Sequence, residues 1–231
     1  MEGYQKFGAL SARYDLPNLT EASQNLRALY LIHGRAGNAN VIWFFRSLFG
    51  KEMPVVAFEA PKDEPILPAS PSGKSWWTAS EVNELGIREL KDPKLAELAQ
   101  SSASVLRGAI DKFENSFNLS ITLRIGLGFS QGAALLARFA LDEPTFFDKL
   151  ILICGFVPLF EGEKSDLIKS EKFNQKVFIY NGKRDQIIPF ADAMDGFEVL
   201  RAKFPNAYLI VDEGAHKITS NGLAELKKWL S

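Results

Sequence analysis

The sequence has very few of the residues that bind metal ions or form cross-links. Its one cysteine, Cys154, cannot form an internal disulfide bond, and its two histidines, His33 and His216, lie far apart in the chain. Because protein zinc sites combine several such ligands, we expect no metal centre, and we expect no cofactor. Cys154 lies in the apolar run KLILICGF, which predicts a buried structural thiol.

The sequence also has no large excess of acidic or of basic residues. The 27 basic residues nearly balance the 28 acidic ones, which argues against nucleic acid or a charged membrane surface as a partner. No apolar run reaches the roughly 18 residues of a transmembrane helix, and the N-terminal segment MEGYQKFGALSARYDLP has no apolar targeting core. We therefore expect a cytoplasmic protein with no membrane span, in which the glycosylation sequons at 18 and 118 are unused.

The chain lacks internal repeats and Gly/Ser-rich linkers, so its 231 residues are predicted to form a single domain, residues 1–231. Six short runs are almost continuously apolar, as buried parallel strands are: LRALYLIHG, PVVAFEAP, ITLRIGLGF, KLILICGF, KVFIYNG and AYLIVDEG. Helical periods lie between these runs. The alternation indicates an α/β fold, with a mostly parallel twisted sheet and helices on both faces.

Two of the helices have recognisable starts. Asn38 is predicted to cap one helix, and Asp92 with Pro93 is predicted to begin another. The first helix would turn Val41, Ile42, Phe45, Leu48 and Phe49 inward. The second would bury the residues that follow a 3.6-residue period, namely Leu95, Leu98, Val105, Leu106, Ala109, Ile110, Phe113 and Phe117.

The stretch RIGLGFSQGAALLARFAL places Ser130 between Gly128 and Gly132, where a predicted strand meets a predicted helix. A Gly-x-Ser-x-Gly pattern alone is weak evidence, because it also arises by chance. At a sharp strand-to-helix turn, however, small neighbours permit the strained backbone that exposes a nucleophilic serine. Ser130 is therefore the candidate nucleophile.

The serine would need a base and an acid. In this strand–turn–helix context the expected chain order is serine, acid, histidine, which selects His216 on the loop after the last strand as the base. His33 precedes the serine and is predicted to pack or hydrogen-bond beneath its loop. Asp185, after the penultimate strand, is the preferred acid. Asp212 and Glu213, close to the histidine in the chain, are the alternatives.

Two backbone amides are expected to stabilise an oxyanion beside the serine. One is the amide of Gln131, at the start of the helix. The other is expected in the loop HGRAGN after the first of the six strands, where the Arg35 amide is the candidate. The alternatives are a plain glycine turn for this loop and, for the Arg35 side chain, either contact with a substrate anion or solvation.

The segments HGRAGN, GFSQGAAL, CGFVP, GKRDQIIP and EGAH occur in an order that resembles the phospholipase/carboxylesterase family of α/β-hydrolases, from about residue 27 to the C-terminus. This family includes acyl-protein thioesterases and small bacterial carboxylesterases. The resemblance implies an α/β-hydrolase fold, with Ser130 as nucleophile, Asp185 as acid and His216 as base. It also implies that the amides of Arg35 and Gln131 are the oxyanion donors.

Departures from the family pattern fall where substrate would bind. GRAGN replaces the frequent Gly-Leu-Gly-Asp turn, and WWT at 76–78 replaces Trp-Phe-Asp, which leaves the acyl and alcohol preference open. Trp76 and Trp77 either form a wall for the substrate or pack against the body of the protein. The proline-rich segment 60–77 is predicted to be a long irregular loop. Its SGKS is not a phosphate-binding loop, because Pro68 stands where that loop needs glycine.

Together these features predict a serine hydrolase that cleaves carboxylic esters or thioesters through a covalent acyl-enzyme. Its substrate would be a small-molecule ester or an acylated carrier, reached without a large lid domain, and a homodimer is left open. The alternatives are a dienelactone-hydrolase-like or acyltransfer enzyme on the same fold and a non-catalytic binding protein.

Overall fold

The computed structural model describes residues 1–17, 25–65 and 72–231. The main sheet has eight strands in the order β1-β2-β4-β3-β7-β8-β9-β10. From β4 to β10 all neighbours are parallel, whereas β1 and β2 form an antiparallel hairpin that pairs with β4. The strands are β1 Glu2–Phe7, β2 Leu10–Asp15, β3 Leu26–Ile32, β4 Val55–Glu59, β7 Ile121–Phe129, β8 Lys149–Ile153, β9 Lys176–Gly182 and β10 Ala207–Asp212, and a separate sheet contains β5 Lys62–Pro65 and β6 Ser72–Ser75.

The six predicted strands are present as the six parallel strands, and the predicted α/β-hydrolase architecture is confirmed. The sequence did not predict β1 and β2, because their apolar residues alternate with polar ones and form no continuous run. In β2, Leu10, Ala12 and Tyr14 are buried while the residues between them are partly exposed. Such alternation is typical of an antiparallel strand with one face on the core.

The helices begin where the capping residues indicate. The Asn38 side chain accepts hydrogen bonds from two amides of α1, and Asp92 caps α3 with Pro93 at its first position. Val41 is 67% exposed, so its predicted inward position is wrong; the buried residues of α1 and of the 3₁₀ helix that follows it, Ala39, Ile42 and Phe45, lie three residues apart. Val105 is also exposed, at the margin of the buried stripe of α3. The helices are α1 Ala39–Ile42, the 3₁₀ helix Trp43–Leu48, α2 Ala79–Glu84, α3 Pro93–Ser116, α4 Gln131–Asp142, α5 Glu163–Lys169, α6 Phe190–Lys203 and α7 Ser220–Leu230.

Alternate residues of β3 enter two different core layers. Tyr30 and Ile32 pack in the layer that contains α3 and α4, whereas Leu29 and Leu31 pack in the layer that contains α1 and α7. Helices therefore cover both faces of the sheet. The carboxyl ends of the parallel strands meet at one edge, where the loops carrying the candidate residues lie.

The segment 60–77 is more regular than predicted. The strand β5 pairs antiparallel with β6, so the expectation of an irregular loop is wrong for these residues. Pro68 and the rest of 66–71 lie outside the described residues, as does the sequon at 18. Within the described ranges, every helix is too short or too polar to cross a lipid bilayer.

Candidate active site

Ser130 occupies the one-residue turn between β7 and α4. Its backbone has φ 53° and ψ −117°, a conformation that residues other than glycine rarely adopt. The Ser130 amide is held by a 2.8 Å hydrogen bond to the carbonyl oxygen of Ile153 at the end of β8. The strained turn raises the hydroxyl above the end of the sheet.

The two flanking glycines allow the turn to be this tight. A Cβ atom at Gly128 would lie 2.5 Å from the carbonyl oxygen of Gly132, and one at Gly132 would overlap the carbonyl oxygen of Ile32. Larger residues at either position would push the helix away from the strands. The spacing noted in the sequence is thus a packing requirement of the turn.

The structure brings Ser130, His216 and Asp185 into one hydrogen-bonded chain. The Nε2 atom of His216 lies 2.9 Å from the Oγ atom of Ser130, and its Nδ1 atom lies 2.7 Å from the Oδ2 atom of Asp185. The Asp185 side chain is completely buried, while 16% of the His216 side chain is exposed. This arrangement leaves Nε2 free to accept a proton from the serine and keeps the other ring nitrogen on the carboxylate.

A local turn orients Asp185. Its Oδ1 atom accepts hydrogen bonds from the amides of Ile187 and Ile188, at 2.8 and 2.9 Å. The second oxygen is therefore left for His216. The backbone that follows Asp185 in the chain thus holds its carboxylate in place.

The two alternative acids have other partners. Asp212 accepts hydrogen bonds from the Tyr180 hydroxyl at 2.6 Å, from the Gly214 amide at 2.8 Å and from the Thr219 hydroxyl. Burial acts to raise the Asp212 pKa, but these hydrogen bonds outweigh it and the pKa is lowered. Glu213 forms a surface ion pair with Lys183. Asp212 thus fastens β9 to the start of α7.

His33 lies beneath its loop and is 1% exposed. Its Nδ1 atom donates to the Gly34 carbonyl at 2.7 Å, and its Nε2 atom accepts from the Ala60 amide at 3.0 Å. Burial lowers the His33 pKa, which favours the neutral ring. The ring joins the loop after β3 to the end of β4.

Arg35 and Gln131 both line the cavity that contains Ser130. Arg35 lies in the loop after β3, and Gln131 is the first residue of α4, whose amide has no partner inside the helix. The two proposed amide donors thus come from different elements that meet beside the serine.

The Gln131 side chain has a second role that the sequence did not reveal. It accepts a hydrogen bond from the Trp76 amide at 2.9 Å and donates to the Trp77 carbonyl at 2.7 Å. Trp76 is fully buried, outside the cavity lining, and its indole N–H donates to the His33 carbonyl at 3.0 Å. Trp77 lines the cavity. Trp76 therefore packs against the body of the protein, and Trp77 forms part of the cavity wall.

The β5–β6 hairpin supports the loop that carries Arg35. The Ser75 hydroxyl accepts a 2.9 Å hydrogen bond from the Ala36 amide, and Gly37 and Lys74 exchange two backbone hydrogen bonds of 3.1 and 2.8 Å. Gly73 packs so closely that an added Cβ atom would lie 2.7 Å from the Cα atom of Ala36. The contacts were not predicted, because they join segments about 40 residues apart that carry no shared local pattern.

The cavity above Ser130 has a volume of about 860 Å³. Apolar side chains form much of its wall, and charged residues also contribute. Both groups are drawn mainly from the segments 77–95 and 187–192. The apolar residues include Trp77, Val82, Ile87, Leu90, Leu95, Phe156 and Ile188, and the charged ones are Arg35, Glu64, Arg88, Glu89, Lys91 and Asp192.

Cys154 lies behind the hydrogen-bonded chain. Its sulfur and one ligand atom each of Asp185 and His216 all lie within 4.8 Å of one another. Burial, together with the nearby charges of Asp185 and Asp212, raises the pKa of Cys154 to about 12. A thiol that stays protonated is a poor nucleophile and a poor metal ligand, and the predicted buried structural thiol is confirmed.

Comparison with known proteins identifies the family. The model of the serine hydrolase (FSH1) family matches residues 52–222, well over half of the chain. No curated protein has a matching sequence. Among solved structures, esterase PE8 superposes with a TM-score of 0.74 at 19% identity, covering 96% of this chain and 97% of its own.

Two further structures show the same fold at low identity. The Bacillus cereus carboxylesterase has a TM-score of 0.69 and 17% identity, covering 95% of this chain and 92% of its own. Zea mays acyl-protein thioesterase 2 has a TM-score of 0.63 and 15% identity, covering 95% of this chain and 96% of its own. These neighbours are consistent with the predicted resemblance to the phospholipase/carboxylesterase family, and the chain belongs to the serine hydrolase (FSH1) family of α/β-hydrolase fold.

Proposed function

We propose that the protein hydrolyses carboxylic esters or thioesters through a covalent acyl-enzyme on Ser130. The observation that carries the proposal is the continuous hydrogen-bonded chain from Ser130 through His216 to the buried Asp185, with the serine on a strained turn at the cavity floor. A Ser-His-Asp chain in this geometry is the arrangement that activates serine for acyl transfer.

In the first half-reaction, Nε2 of His216 takes the hydroxyl proton as the Oγ atom of Ser130 forms a bond to the substrate carbonyl carbon. The carbonyl oxygen becomes an oxyanion beside the amides of Arg35 and Gln131. The intermediate then expels the alcohol or thiol, which takes the proton from His216, and the acyl group remains on the serine.

In the second half-reaction, a water molecule gives a proton to His216 and attacks the acyl carbonyl. The second tetrahedral intermediate expels the serine oxygen, which regains its proton, and a carboxylic acid leaves. Asp185 stabilises the protonated ring in both halves and fixes its tautomer.

The cavity supports an ester or thioester of modest size. Its volume of about 860 Å³ falls in the usual range of small-ligand pockets, and its apolar wall suits an acyl chain. The segment between β8 and β9 contains the seven-residue helix α5 and no large lid domain. A small ester, or an acyl group on a larger carrier, could therefore approach Ser130.

Substitution of the serine tests the proposal. Ser130→Ala should abolish hydrolysis of a short p-nitrophenyl ester and labelling by a fluorophosphonate probe, because both need the Oγ atom. Ser104→Ala, on an exposed position of α3, is the matched control and should retain both. Unchanged hydrolysis by Ser130→Ala would refute the mechanism.

A second arm separates the alternatives. Labelling of the protein without hydrolysis of any ester or thioester would favour the dienelactone-hydrolase-like or acyltransfer alternative. Lactones and acceptor alcohols would then be tested as substrates. Absence of labelling in the folded wild-type protein would favour a binding protein.

A further inference from the structure

Glu64 has a carboxylate oxygen that no described residue satisfies. The residue lies on β5 and is 6% exposed. Its Oε1 atom accepts a 2.9 Å hydrogen bond from the Ala79 amide, whereas its Oε2 atom is buried without a hydrogen-bond partner in the described part of the chain. A buried carboxylate normally has partners for both oxygens, because an unsatisfied charged acceptor is costly.

The position of Glu64 distinguishes it from the other buried side chain with an unsatisfied polar atom in the described structure. Glu64 lies in the wall of the cavity that contains Ser130, near Trp77 and Val82. Gln175, whose Oε1 atom is likewise unsatisfied, is not part of the cavity wall. The residue that carries the unsatisfied acceptor therefore lies in the wall of the cavity that would hold a substrate.

The cations of the same cavity do not neutralise Glu64. Lys91 forms ion pairs with Asp192 at 3.5 Å and with Asp195 at 2.5 Å. Arg35 and Arg88 are exposed, and neither forms an ion pair with Glu64 in the described structure. Among the described residues, the Oε2 atom of Glu64 thus lacks a positively charged or hydrogen-bond-donating partner.

Glu64 is also held in place. Its partner in the hairpin register is Gly73, which packs on the backbone of Ala36, and the Ala79 amide fixes the Oε1 atom at the start of α2. An acceptor that is already oriented binds a donor with little further loss of entropy.

We propose that Glu64 recognises a hydrogen-bond donor on the substrate, a hydroxyl or an ammonium group that reaches the Oε2 atom while the carbonyl lies at Ser130. This inference rests on the proposed function and defines its substrate class. A purely alkyl substrate leaves the buried acceptor unpaired, so the site discriminates against it.

Matched ester pairs test the inference. The esters carry a terminal hydroxyl, ammonium or methyl group on acyl chains of several lengths, and a second set contains butyrate esters of ethylene glycol and of propanol. We expect the wild type to favour at least one donor-bearing ester over its methyl-terminated match by about ten-fold or more in kcat/KM. The hydroxyl and ammonium arms show which donor is preferred.

Glu64→Gln is the informative variant. It keeps an acceptor for the Ala79 amide and places an NH₂ group where the Oε2 atom stood, so the preference for a donor should be lost. Glu89→Gln is the matched control, since Glu89 lines the same cavity but is exposed, and it should retain the preference. No preference in any pair, or a preference that Glu64→Gln retains, would overturn the inference.

A binding readout separates this inference from the proposed function. If no ester is hydrolysed and the probe does not label Ser130, the proposed function fails. In that case, the carboxylic acids that correspond to the acyl groups of these esters are added to the protein, and the rise in Tm that each acid produces decides the role of Glu64. Stronger stabilisation by the hydroxy or amino acid than by the alkyl acid, lost in Glu64→Gln, supports recognition by Glu64, and equal stabilisation overturns it.

Discussion

Two aspartates near His216 differ in what their oxygens can still bind. Asp185 uses one oxygen for two backbone amides and presents the other to His216. Asp212 uses both oxygens to hold Tyr180, Gly214 and Thr219. At the residue scale, the roles follow from which lone pairs are already occupied.

Matched asparagine substitutions separate the two roles. Asp185→Asn should lower kcat by roughly a thousand- to ten-thousand-fold, because an amide cannot hold the required tautomer or stabilise the protonated ring. Asp212→Asn should leave kcat near the wild-type value and lower the free energy of unfolding by about 1–2 kcal/mol. Steady-state kinetics and urea unfolding measure both quantities. Equal losses of kcat in the two variants would contradict the assignment.

His33 should make stability depend on pH. Burial lowers its pKa below the ordinary value of 6.5, so the unfolded chain binds a proton at a higher pH than the folded protein does. The free energy of unfolding should therefore fall as pH drops below about 6.5, by up to about 1.4 kcal/mol per pH unit. His33→Gln should lack this component. Parallel pH dependences of the two proteins in urea unfolding would refute it.

The β5–β6 hairpin acts at the scale of an element. It contributes Ser75, Lys74 and Gly73 to the support of the loop 34–37, and its other strand carries Glu64. The hairpin therefore supports the loop that carries Arg35 and also contributes Glu64 to the cavity wall.

A methyl group at Gly73 should disturb the loop. In Gly73→Ala the new Cβ atom overlaps the Ala36 backbone, which cannot move aside as a flexible side chain would. We expect kcat to fall about ten- to a hundred-fold as the Arg35 amide shifts, with a smaller change in KM. Gly50→Ala, where nothing lies within 4 Å of the added atom, is the control. Wild-type kcat in Gly73→Ala would show that the hairpin does not position the amide.

At the scale of the whole molecule, the parallel sheet gathers the site. Ser130, Asp185 and His216 follow three different strands, β7, β9 and β10, whose carboxyl ends lie at the same edge. Cys154 follows β8 between them and is fully buried. Reaction of this thiol thus requires the centre of the sheet to open.

Cys154 should report on that opening. Burial and a pKa raised to about 12 make it unreactive toward a disulfide reagent in the folded protein, and the rate of reaction should follow global unfolding in urea. The measurement is the rate at which the reagent's own thiolate is released, followed by its absorbance and compared at about ten urea concentrations. Reaction at the rate of a free thiol without urea would show local opening instead.

The sequence by itself determined the features that depend on neighbours in the chain. Continuous apolar runs predicted the parallel strands, side-chain caps at Asn38 and Asp92 predicted helix starts, and glycines on both sides of Ser130 predicted the tight turn. These signals are local, because backbone geometry and hydrogen bonding within a few residues produce them.

Only the tertiary structure decided the features that depend on distant partners. Val41 was found to be exposed, Gln131 was found to hold the backbone of both tryptophans, and Asp212 was found to be occupied by Tyr180. The unsatisfied oxygen of Glu64 is likewise visible only when all possible partners are in place. The physical reason is that a hydrogen-bond partner or a packing contact is set by three-dimensional proximity, which residue types along the chain do not encode locally.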